Sequence, residues 1–202
     1  RHAMLFKQPH TDVVTADWLS LRSSMVYHTI YHYSLALHVN HLLFLNTYVF
    51  GVFVIVASWA SWLLMIPVCV IYATYGLVLI RHVIALPYLV VVGAMAYAAC
   101  EFDSFLRGEG MSNGDPNYHP LEIWEIFFIG LGIVLTSFAF QLAGHATFET
   151  FVSPPKLFHG FVAAPILEYV SLLFRLGFLQ ELHAQVTEEV ERSRLDAQPL
   201  IE

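Results

Sequence analysis

The sequence predicts an all-α, polytopic membrane protein with about four transmembrane helices plus interfacial or re-entrant helices. Three observations lead there. Of 202 residues, 57% are hydrophobic and only 12% are charged, roughly half the charge of an average soluble domain. No Asp, Glu, Lys or Arg occurs between Arg22 and Arg81, a gap of 58 residues, and the next acid after Arg81 is Glu101. A domain of this size cannot enclose that much apolar chain within itself, so lipid is the natural solvent for it. The formal net charge of −7 argues against a nucleic-acid partner.

The whole chain, 1–202, reads as one membrane domain. Residues 1–23 form an N-terminal tail carrying Lys7, Pro9, Asp12 and Asp17. That segment lacks the apolar run of a secretory signal, and because the chain begins without Met a few residues are expected to precede it. Residues 24–41 mix Met25, Tyr27, His28, Tyr31, His32, Leu35 and His38 at helical spacing, which predicts one His-rich helix at the membrane interface. The spans follow within 42–143, at Leu42–Trp59, Leu63–Ile80, Val83–Cys100 and Ile123–Ala143. The first two are joined at a Ser58–Trp62 corner whose two Trp suit the headgroup layer. Residues 101–121 hold Gly108, Gly110, Gly114 and Asp115-Pro116, which is turn chemistry.

Residues 144–178 are interrupted by Pro154-Pro155, Gly160, Pro165, Glu168 and Arg175, so re-entrant or surface helices are expected there rather than a fifth span. Glu168 is costly in apolar surroundings unless paired, with Arg175 the candidate partner. The tail, 179–202, carries Leu182, Val186 and Val190 on one helical stripe. Eight of the nine Lys and Arg fall on the side of the termini, against Arg107 alone in the 101–121 connection. The positive-inside rule makes that first side cytoplasmic. Cys69 and Cys100 lie in apolar runs and read as small hydrophobes. CxxC, Walker and GxGxxG patterns are absent.

Eleven histidines are unusual in so apolar a chain. His28, His32, His38 and His41 precede the first span and His145 follows the fourth, so an even number of spans returns all five to one face of the membrane. His28 and His32 are four apart on a helix, as are His145 and Glu149, a spacing that lets two side chains grip one ion. Neutral imidazoles with one carboxylate are the donor type of non-haem Fe(II) oxygen chemistry. His38 reads as an interfacial residue, His82 as structural, and His2, His10, His119 and His183 as solvated.

The segment Phe140-Gln141-Leu142-Ala143-Gly144-His145-Ala146-Thr147-Phe148-Glu149 resembles the Q-x-x-G-H-x-x-F-E signature of the 2-hydroxy fatty acid dioxygenase family, small membrane proteins of the endoplasmic reticulum. Ala164-Pro165, Glu168 and Leu173–Phe178 resemble its downstream A-P, Glu and L-F-x-L-G-F, and Tyr31-His32 with His41 its upstream Y-H and second His. The chain departs from the family at Leu37, where an Asn is usual, and at Ser153–Lys156. It resembles a divergent member.

The resemblance implies an Fe(II) cofactor held by His32, His41 and His145, with His28 a possible additional ligand. Glu149 is then a further ligand or a partner that fixes an imidazole. Gln141 is expected to orient a ligand or a substrate oxygen, although a Gln bonding a neighbouring helix explains it as well. Tyr31 and Gly144 belong to the matching motifs and are expected at the substrate position, though Tyr31 also reads as an interface anchor and Gly144 as a point of close helix approach. The implied reaction is O2-dependent α-oxidation of a 2-hydroxy fatty acid, shortening it by one carbon in lipid and sphingoid-base metabolism. The partners would be that amphiphile, O2 and the bilayer, at the cytoplasmic side of the endoplasmic reticulum. The alternative is a non-catalytic membrane scaffold or lipid-binding protein of the same fold.

Overall fold

The computed structural model describes residues 19–32, 34–80, 85–109, 119–148 and 162–196. The expectations placed on His2, His10, His82, Glu149 and Ser153–Lys156 lie outside them. The secondary structure among the described residues is helical, without a strand: α1 Leu21–Tyr31, α2 Leu35–Ile80, α3 Leu86–Leu106, α4 Ile123–Phe148, α5 Ala164–Arg175 and α6 Gln180–Asp196. Four stretches are long and apolar enough to cross a membrane: Leu35–Trp59, Leu63–Ile80, Leu86–Leu106 and Ile123–Phe148. In the apolar window of α4 only 17% of residues are buried, and Phe128, Leu135 and Phe138 stand open to the outside. Such a helix is stable with lipid against it, not water.

Two of these spans lie within α2, which doubles back. Phe53 and Tyr72 have ring centroids 6.0 Å apart, whereas 19 residues of straight helix would separate them by about 28 Å. The reversal therefore falls near the Ser58–Trp62 corner expected from its Trp and Ser residues. The Phe50–Phe102 ring contact, the Gly76–Tyr88 approach and the Trp59–Trp124 contact give the order up, down, up, down for the four spans. Gly51 and Gly130 let α2 and α4 meet backbone to backbone: a Cβ on Gly130 would stand 3.1 Å from the Gly51 carbonyl oxygen.

The single helix expected over 24–41 is two helices. Ser20 caps the start of α1 by accepting from the Ser23 amide, and α1 stops at Tyr31, with His32 in a non-helical conformation (φ −132°, ψ 78°). Residues 35–41 instead begin the first span. On one continuous helix His32 and His41, nine residues apart, would lie on opposite faces and about 13 Å apart along the axis. The break is what allows them to meet. The third span also begins later than expected and runs on to Leu106, ending where Gly108 takes φ 73°. The fourth continues to Phe148, so His145 sits in the last turn of α4 rather than beyond it.

Helix α5 has 12 residues, about 18 Å, too short to span. Pro165 opens it, and Gly177 (φ 87°) closes it while the Phe178 amide bonds back to the Leu173 carbonyl at 2.9 Å. That closure is the physical content of the Leu-Phe-x-Leu-Gly-Phe run. Nearly all of α5 is buried against α1 and the spans. Helix α6 lays Val186 and Val190 against α1, where Arg22 pairs with Glu189 at 2.8 Å. The stripe expected in the tail is the stripe it buries. His183, expected to be solvated, stacks on Phe174 with centroids 4.7 Å apart, whereas His119 is exposed as expected.

Candidate metal centre

At the end of the bundle covered by α1 and α5, five imidazoles and one carboxylate meet. His28 comes from the last turn of α1 and His32 from the break that follows. His38 and His41 come from the first turns of α2, His145 from the last turn of α4 and Glu168 from the first turns of α5. The sequence places these segments far apart, and the even number of spans returns them to one end. His28, His32, His38, His41 and Glu168 are all buried, and His145 is half-buried.

One donor atom from each of His32, His41 and His145 lies within 4.8 Å of the other two. Their rings are mutually edge-on or tilted, with all three pairs of centroids 4.9 Å apart. His41 Nε2 and His145 Nε2 stand 3.2 Å apart, and two ligands at about 2.1 Å from one ion would be separated by that distance at an angle of about 100°. The 4.8 Å bound exceeds the widest separation two such ligands can have by only about half an ångström. The residues present fit a transition-metal ion.

Local hydrogen bonds fix the tautomer that such an ion needs. Asn40 Nδ2 donates to the Phe140 carbonyl at 3.2 Å, which turns its Oδ1 toward His41 Nδ1 at 3.4 Å. With Nδ1–H directed at that oxygen, the Nε2 lone pair of His41 faces His145. Gly144 makes room for this amide, since a Cβ there would stand 2.6 Å from Asn40 Oδ1. Gly144 is thus the close-approach residue of α4 on α2. Asn40, which sequence reasoning passed over, is the orienting group; its adjacency to His41 was the available signal.

The remaining candidates divide. Gln141 donates to the Phe44 carbonyl across the helix interface at 3.4 Å, a bond to a neighbouring helix. The side chain of Tyr31 and all of Glu149 lie outside what is described. Leu37, at the departure from the family pattern, is fully buried.

Two expectations are corrected. Glu168 is paired not with Arg175, which is exposed, but with His38 Nδ1 at 2.8 Å and with His28 Nε2 at 3.2 Å. His38 is correspondingly buried against this acid, not an interfacial residue facing headgroups. Burial alone pushes the Glu168 carboxyl up, but the His28 and His38 imidazoles outweigh that and hold it well below the ordinary carboxylate value. The cluster therefore contains an ionised carboxylate, supplied by α5.

No protein-family model, curated protein or solved structure matches the chain. The reading of the centre rests on its own residues.

Proposed function

We propose that the chain is a membrane-embedded, Fe(II)-dependent oxygenase that shortens 2-hydroxy fatty acids by one carbon. The observation that carries the proposal is the meeting of His32, His41 and His145 from three separate segments at one end of an apolar bundle. Two buried imidazoles and a half-buried third, brought together over such separations, cost desolvation and add little to folding, so a bound ligand is the economical explanation. The Gln141–Glu149 signature supplies the choice of iron and of substrate class.

The reaction balances as R–CH(OH)–COOH + O2 → R–COOH + CO2 + H2O: the C1–C2 bond breaks, C2 is oxidised to the new carboxyl, and O2 takes up the four electrons. Iron held by the three imidazoles would supply O2 binding and chelation of the substrate's 2-hydroxyl and carboxylate. The protein's own residues do the rest. Asn40 keeps His41 in the ligating tautomer, and Gly144 keeps α4 close enough for His145 to reach the same point. The Phe-, Leu- and Val-rich spans accept the acyl tail while its polar end faces the cluster. The Lys/Arg asymmetry favours the cytoplasmic face for this end, and the resemblance favours the endoplasmic reticulum.

Incubation of iron-loaded protein with paired 2-hydroxy and unsubstituted acids of equal length, with O2 uptake recorded, tests the reaction. Turnover confined to the 2-hydroxy acid, one O2 consumed per chain shortened, is the expected result. Equal turnover of both acids, or none of either by fully iron-loaded protein, would rule it out, the second outcome favouring the lipid-binding scaffold.

A further inference from the structure

Glu168, His28 and His38 are not needed for the three-histidine site, yet all three are buried. Glu168 is 2% exposed and His28 is fully buried. One donor atom from each of His28, His32 and Glu168 also lies within 4.8 Å of the other two. This second group shares only His32 with the first. The His32 ring stacks on His28 with centroids 4.3 Å apart and is tilted or edge-on to His41 and His145, each at 4.9 Å.

We infer that the cluster binds a second divalent transition-metal ion, held by His28, His32 and Glu168 beside the ion of the three-histidine site. This inference rests on the metal-binding reading above and extends it. The two carboxylate oxygens of Glu168 behave differently. Oε2 accepts from His38 Nδ1 at 2.8 Å, a contact that fixes the carboxylate plane in the way partners of metal ligands do. Oε1 is buried and stands 3.2 Å from His28 Nε2, a separation that neighbouring oxygen and nitrogen ligands on one ion also have.

The donor set selects the ion. Two imidazoles and one carboxylate suit Fe, Zn, Co or Mn rather than Ca or Mg, which take oxygen ligands. The carboxylate also places the one described acid of the cluster where a second cation's charge needs it. An imidazole offers two ring nitrogens, so His32 can serve either position or both. His38 is a positioning residue, acting through Glu168.

The full chain, purified in detergent and stripped with a chelator, is titrated anaerobically with cobalt(II). Bound cobalt per chain is measured after desalting, together with the visible ligand-field spectrum. Wild type is expected to bind two equivalents. His145→Ala and Glu168→Gln should each retain one, with different spectra because different ligands remain. His28→Ala supplies the second test of the Glu168 position should Glu168→Gln not give a monodisperse protein. One equivalent in wild type, removed by His145→Ala, overturns the second position and leaves the three-histidine site standing. Two equivalents that survive both Glu168→Gln and His28→Ala also overturn it. No bound cobalt in wild type overturns both sites.

Discussion

The two ends of the four-span bundle handle polar groups in opposite ways. At one end Arg107 bonds Asp103 one turn back in its own helix at 2.9 Å and donates to the Ser58 carbonyl at 2.7 Å, beside the Trp59–Trp124 pair. That end is a local charge pair under an aromatic belt, the usual way to close a helix end at a membrane surface. At the other end His38 meets Glu168 from 130 residues away, and His41 meets His145 across 104. Polar contacts assembled over such distances, and buried, are the costly kind. The difference separates an anchoring end from the end that gathers groups able to hold a metal ion, without reference to any relative.

Substitutions at the two ends should therefore break different properties. The largest expected effect is on metal. His41→Ala or His145→Ala should lower affinity at the three-histidine site by several orders of magnitude while the helical content stays intact, and Arg107→Ala should leave affinity unchanged. Chelator competition on the purified variants checks this, and a loss of metal in Arg107→Ala equal to that in His41→Ala would erase the distinction.

Next in size is stability at the histidine end. Glu168→Ala leaves His28 and His38 buried without their acid and should cost about 3–5 kcal/mol, against about 1–2 kcal/mol for Arg107→Ala, which loses its contacts with Asp103 and with the Ser58 carbonyl. Thermal unfolding of the metal-free proteins in detergent compares the two. Equal losses would mean that Glu168 is no more deeply engaged than the Arg107–Asp103 pair.

A smaller and more specific effect is expected at Gly144. The added methyl of Gly144→Ala must displace the Asn40 amide, 2.6 Å from the new atom, and with it the orientation of His41. A loss of about 10–100-fold in metal affinity is expected, as for other groups that orient ligands. Gly51→Ala, a close approach remote from the cluster, should destabilise without that loss. The smallest effect belongs to Gly177→Ala, at φ 87°, where about 1 kcal/mol of stability and no change in metal binding are expected.

The spans were legible because charge is absent over 58 residues and lipid imposes a simple length rule. The meeting of His28, His32, His38, His41 and His145 was legible because span parity fixes which residues share a face, whatever the side-chain detail; the resemblance singled out His32, His41 and His145 among them. The break after Tyr31 was not, since neither Gly nor Pro marks it and the run 24–41 keeps helical periodicity across it. The partners of Glu168 were hidden for a related reason. Sequence neighbourhood suggested Arg175, seven residues on, whereas α5 turns Glu168 toward α1 and α2. Asn40 was overlooked because an Asn next to a His carries no orienting role until the facing helix, which holds its amide at Phe140, is known.

The central claim is that imidazoles from α2, α4 and the α1–α2 break ligate one ion. X-ray absorption at the iron edge of anaerobically Fe(II)-loaded protein tests it most directly, because imidazole rings give a multiple-scattering signature that water and carboxylate do not. The account predicts histidine nitrogens at about 2.0–2.2 Å, with the imidazole signature weakened in His41→Ala. A shell of oxygen ligands without that signature, unchanged by His41→Ala, would contradict it.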